Sequence, residues 1–181
     1  IINGAMVIDQ RNAGASVTPS NAQYSVDRWK CFLTQASKFT IQQNAGSLTG
    51  TNLPSGFTNY LGVTVGASAN VTVGAGDFFM INQRIEGFNV ADLGFGTANA
   101  KTVTLSFWVR SSLTGTFGGV LTNAANTYTY PFNYTISFAN TWEQKSITIT
   151  GATSGTWYTD NNSGLELYFS LGVGSTYSGT A

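Results

Sequence analysis

Eight Lys and Arg balance eight Asp and Glu in this 181-residue chain, which therefore lacks the basic surface that nucleic acid or an anionic membrane requires. Histidine is absent, removing Ser-His-Asp and Cys-His catalysis, imidazole metal ligation and a histidine pH switch. Charged residues make up 9% of the chain against the usual roughly 25%, so long helices with charged faces are not available and an all-β fold is expected.

Apolar/polar alternation bounded by Gly, Asn, Ser and Thr predicts about ten short strands. In chain order they are 5–10, 24–34, 38–43, 60–65, 77–86, 102–110, 116–121, 128–137, 143–150 and 165–173. Polar turns at 66–70, 111–115 and 159–164 separate some of them, and only 88–93 suits a helical turn. Ten such strands suit a two-sheet antiparallel β-sandwich or jelly roll. The length suits a single domain over 1–181. A start at Ile1 without Met and an ending in Gly-Thr-Ala read as a piece of a longer polypeptide. No apolar run reaches membrane-spanning length.

Side chains on a strand alternate between faces. In 102–110, Val103, Leu105, Phe107 and Val109 form a core face, while Thr104, Ser106, Trp108 and Arg110 point away. In 77–86, Phe79, Ile81, Gln83 and Ile85 point inward, and Phe78, Met80, Asn82, Arg84 and Glu86 share the other face. In 165–171, Leu165, Leu167, Phe169 and Leu171 are core, with Glu166, Tyr168 and Ser170 facing away. Ile147 and Ile149 point inward with Lys145 on their side. Pro131 interrupts 128–137, which places that strand at a sheet edge or at a bulge. Trp29, Cys31 and Leu33 share one face and read as core, with Cys31 a buried structural thiol. Asp9/Arg11, Asp27/Arg28 and Arg84/Glu86 read as ion pairs with a structural role.

Several segments in fixed order carry a resemblance. Ile2-Asn-Gly-Ala-Met6, Asp9-Gln-Arg11, Tyr24-Ser-Val-Asp-Arg-Trp29, Gln83-Arg-Ile-Glu86, Val103-Thr-Leu-Ser-Phe-Trp-Val-Arg110 and Asn140-Thr-Trp-Glu-Gln-Lys145 resemble phage tail-fibre domains with a jelly-roll, carbohydrate-binding-module-like fold. The resemblance implies a non-enzymatic virion module on a fibre or similar appendage. It also implies a homotrimer contacting other virion proteins and host surface glycans, without a cofactor. Modules of the resembled type often hold a structural calcium, for which Asp160, Asn161 and Asn162 would supply oxygen ligands.

Sugar rings pack C–H groups on aromatic faces, and planar polar groups pair with their hydroxyls. Trp108 with Arg110, Arg84 with Glu86, and Tyr168 with Glu166 have this chemistry and are expected to share one outer sheet face. Trp157, Tyr158 and Asp160 form an alternative site in a loop. Two other functions remain open. One is a purely architectural module whose aromatics meet a neighbouring subunit. The other is a polysaccharide-degrading enzyme using Glu86 and Glu166 as its carboxylate pair.

Overall fold

The computed structural model describes residues 1–46, 48, 53–66 and 72–179; the expected turn at 66–70 lies outside them beyond Gly66. The fold is all-β and antiparallel, as expected. Among the described residues nine strands follow one another as β1 Trp29–Leu33, β2 Phe39–Gln43, β3 Leu61–Val65, β4 Phe78–Glu86, β5 Val103–Val109, β6 Gly115–Thr122, β7 Thr129–Ile136, β8 Glu143–Ile149 and β9 Ser163–Val173. Five of them form a sheet of order β1-β4-β9-β6-β7, and β2-β3 and β5-β8 form two-stranded sheets. The expected helical turn at 88–93 is a pair of 3₁₀ turns, Gly87–Asn89 and Ala91–Leu93.

The chain forms two compact units, one built from Ile1–Gln83 and Ser170–Gly179 and the other from Arg84–Phe169. In the first, β1 pairs with β4 in the register Trp29↔Gln83 to Leu33↔Phe79, and β2 pairs with β3. Its core is Cys31, Leu33, Phe39, Ile41 and Phe79, with Val17, Leu61, Val63 and Ile81 packed against it. Gln83 is fully buried. Its side chain accepts from the Ile2 N–H at 2.9 Å and donates to the Ile2 carbonyl at 2.8 Å, so its polar group is satisfied. Burial pushes the Cys31 thiol up to about 12, the state of an inert structural cysteine.

Two expectations fail in this unit. Residues 5–10 form no strand, because Asn3 and Met6 take positive φ of 53° and 55°. The Asn3 side chain also bonds both the N–H and the carbonyl of Ile8. That side-chain competition replaces a ladder with a turn. The strand expected from 24 begins only at Trp29, since Arg28 sits at φ 74°.

The second unit has two layers. Leu121, Phe132, Tyr134, Ile136, Leu165 and Leu167 line the inner face of β9, β6 and β7, together with Ile85. Val103, Leu105, Phe107, Val109 and Ile147 of the β5-β8 pair pack against them. Phe107 ties the layers together, its ring standing edge-on to Tyr134 at 5.0 Å and to Phe169 at 4.9 Å. Such contacts add about 0.5–1.5 kcal/mol each to area burial. β7 is an edge strand, as Pro131 requires.

Candidate functional site

The outer face of the β5-β8 pair is an exposed strip of polar side chains bearing one indole. Antiparallel register places Thr104 opposite Thr148, Ser106 opposite Ser146 and Trp108 opposite Gln144. All six side chains are exposed, while the alternate residues of β5 turn to the core. Ser106 and Ser146 join across the pair at 3.0 Å. At 3.3–3.4 Å per residue, Thr104 to Trp108 spans about 14 Å, the length of a short oligosaccharide. The result is a narrow strip of hydroxyls and an amide with one indole at its end. Trp108 is 38% exposed, a large apolar area left to water on a strand whose other apolar groups pack, partly buried, against the core.

Loops complete that end. Arg110 Nε donates to the Asn140 carbonyl at 2.9 Å, and the Asn140 N–H donates to the Ser111 carbonyl at 2.6 Å. Glu143 holds the neighbouring turn, accepting at Oε1 from the N–H groups of Ser137 at 2.8 Å and Phe138 at 2.9 Å. Its Oε2 meets Lys145 Nζ at 2.7 Å. This resolves the inward-leaning Lys145, whose charge is matched two residues away on the same side of β8. Lys145 and the Phe138 N–H hold the Glu143 carboxyl below the usual carboxylate range.

The remaining expected site residues form a second, separate group. Arg84 Nε lies 3.0 Å from Glu166 Oε1, and the Tyr168 hydroxyl donates to Glu166 Oε2 at 2.6 Å. Arg84, Glu166 and Tyr168 therefore do converge, and Glu86 shares the Arg84 face of β4. They do not join Trp108 and Arg110. Glu166 and Tyr168 stand on the side of β9 away from the core, whereas Trp108 stands on the outer side of the other layer. One shared platform is ruled out by the sheet order.

Nor is the second group a surface. Glu166 is 1% exposed and Tyr168 8%, which corrects the expectation that both face solvent. Thr122, the strand neighbour of Glu166, is buried as well, so the middle of β9 is covered on both sides. With both Glu166 oxygens engaged, this carboxylate is a structural anchor. The pairing corrects another expectation, because Arg84 reaches across strands to Glu166. Arg11 similarly reaches Asp27, at 3.9 Å, while Asp9 accepts from the Asn12 and Gly14 N–H groups.

Burial, followed by the Glu166 carboxylate that accepts its proton, pushes the Tyr168 phenol upward. Burial raises Tyr134 to about 12. Both folded values exceed the unfolded value near 10, so their contribution to stability is complete below about pH 10 and is lost as pH rises through the folded values. A pH series of thermal melts should fall above about pH 10, with these two phenols ionising, by ultraviolet absorbance, only as the protein unfolds.

In the alternative loop site, Trp157 is an anchor. Its ring meets Phe95 edge-on at 5.0 Å, and its Nε1 donates to the Ser154 carbonyl at 3.0 Å. Tyr158 is exposed. Asp160 accepts from the Asn162 N–H and side-chain amide, each at 2.9 Å, which is a turn closing on itself. Among the described residues, no three His, Cys, Asp or Glu cluster closely enough to hold a metal ion. Gly87 and Gly164 clamp this loop, since a Cβ on either would collide with the Tyr158 carbonyl. The 2.8 Å bond from the Gly87 N–H to the Asn162 carbonyl secures it.

No protein-family model and no curated protein matches the chain. A similar fold occurs in a phage tailspike. The enzymatically active domain of tailspike protein 4 from bacteriophage CBA120 superposes on 87% of this chain, with a TM-score of 0.50 and 14% sequence identity. This chain spans 19% of that one, and the likeness is one of fold. It overturns the expectation of a non-enzymatic module, because the similar fold lies within an enzymatically active domain.

Gln144 completes the Trp108 end and Ser146 the middle of the strip. Gln144 and Ser146 gain their place only from the β5-β8 register, which the alternation within either strand does not contain.

Proposed function

We propose that this chain is a β-sandwich domain of a phage tail protein that holds host surface polysaccharide on the outer face of β5 and β8. The single observation carrying the reading is the Trp108 indole, exposed at the end of a hydroxyl and amide ladder with Gln144 directly opposite. An indole face accepts the C–H side of a sugar ring, and Ser, Thr and Gln supply both donors and acceptors for its hydroxyls. The tailspike likeness supports a virion setting. In this reading the domain sits in the tail as part of a homotrimer, beside other virion proteins.

The test is retention of the protein on immobilised lipopolysaccharide O-chains and capsular polymers. Trp108→Ala should weaken retention about 5- to 150-fold, since stacking of a flat ligand ring on an aromatic side chain carries roughly 1–3 kcal/mol. Its urea midpoint and oligomeric state should stay those of the parent protein. Unchanged retention, or loss of the oligomer in place of the ligand, would show that the indole serves subunit contact and would overturn the proposal. Release of reducing ends from the same polymers reads catalysis directly.

A further inference from the structure

We infer that the sugar recognised at Trp108 is acidic, and that Arg110 binds its carboxylate; this rests on the polysaccharide reading above. Arg110 follows Trp108 by two residues, one position past the end of β5, and extended backbone there places their Cα atoms about 7 Å apart. A pyranose stacked on the indole therefore brings a ring substituent within reach of the guanidinium. What distinguishes Arg110 is how little of it is used. Its Nε is held by the Asn140 carbonyl, and no other polar partner exists for it among the described residues.

A guanidinium has five N–H donors in a planar fork, so the two terminal nitrogens remain for a ligand. The Nε bond fixes the plane in advance, lowering the ordering cost of a bidentate contact.

Nearby charge does not compete. Glu143 is the adjacent carboxylate, and its oxygens are taken by Lys145 and by the Ser137 and Phe138 N–H groups. Arg84 is likewise committed, to Glu166. In a chain with only eight basic residues, an oriented guanidinium without a carboxylate beside an exposed indole is a selective arrangement. Its complement is a planar carboxylate on a sugar ring, as in a uronic or sialic acid. A neutral hexose would leave the fork with water alone.

The experiment uses oligomers of polygalacturonate and of polysialic acid, each beside its carboxyl-reduced counterpart, with affinities measured by calorimetry. The parent protein should bind at least one acidic oligomer and bind its reduced form about 10- to 100-fold more weakly, as loss of a charge-assisted pair implies. Arg110→Gln should erase that preference while retaining the weaker binding. Arg110→Lys, which keeps the charge without the fork, should recover only part of it. Melting curves establish that both variants fold.

Equal affinity for acidic and reduced oligomers, or no effect of Arg110→Gln, overturns the acidic-sugar inference while Trp108-dependent binding keeps the polysaccharide reading. Failure of every acidic oligomer to bind also overturns it. Retention of any glycan that survives Trp108→Ala overturns both.

Discussion

Replacing Arg84 by Ala should cost about 3 kcal/mol of stability, the lower end of what breaking a buried ion pair costs. The asymmetry of the pair sets this figure. The Glu166 side chain is 1% exposed while that of Arg84 is 49% exposed, so removing the arginine admits some water to Oε1 but leaves the rest of the carboxylate buried, which holds the cost to the lower end of the range. Tyr168 still donates to Oε2, yet one neutral hydrogen bond does not offset a stranded charge. Adding Glu166→Gln to the Arg84→Ala protein should recover a large share of the loss, because it removes the charge and keeps the acceptor for Tyr168. Urea unfolding measures both, with midpoints compared at constant slope. A double variant no more stable than Arg84→Ala would mean that the cost lies in lost packing of the arginine stem.

The second large effect is on the opposite side of the same strand. Leu167 is 1% exposed at the centre of the second unit's core. Leu167→Ala should destabilise by about 4 kcal/mol, toward the upper part of the range for such truncations, because neighbours from both layers surround the site and limit its collapse. Leu167→Met, similar in volume, should cost less than about 1.5 kcal/mol. Sugar binding by the folded fraction should remain that of the parent, since Leu167 lies behind the β5-β8 face. Loss of affinity in the folded Leu167→Ala protein would mean that the outer face depends on inner packing more than the layered arrangement implies.

What the sequence made legible was whatever depends on period two within one strand. The inward row Val103, Leu105, Phe107 and Val109 and the outward Trp108 follow from local alternation, as does the edge position of Pro131. Neighbour relations were not legible, because they depend on pairings distant along the chain. β9, the last strand, lies between β4 and β6. This insertion brings Glu166 to Arg84 and separates both from Trp108. Alternation also cannot say what covers the face opposite a core, so Glu166 and Tyr168 read as surface residues although both are buried. The apolar residues of 5–10 mimicked a strand because the signal against it, positive φ at Asn3 and Met6, is a property of the backbone. Gln83 is instructive, since alternation placed this amide inward correctly while its partner, the Ile2 backbone, lay 81 residues away.

In the proposed reading, the Arg110 end of β5 also fixes how sugar binding responds to its surroundings. The adjacent Lys145–Glu143 pair is closed on itself. With no imidazole anywhere in the chain, this surface lacks the side chain that most often switches charge near neutral pH. Ionic strength is different, because a partly exposed guanidinium is screened over about 8–10 Å at physiological salt. The proposed contact would therefore weaken as salt rises and hold most firmly where dissolved ions are scarce.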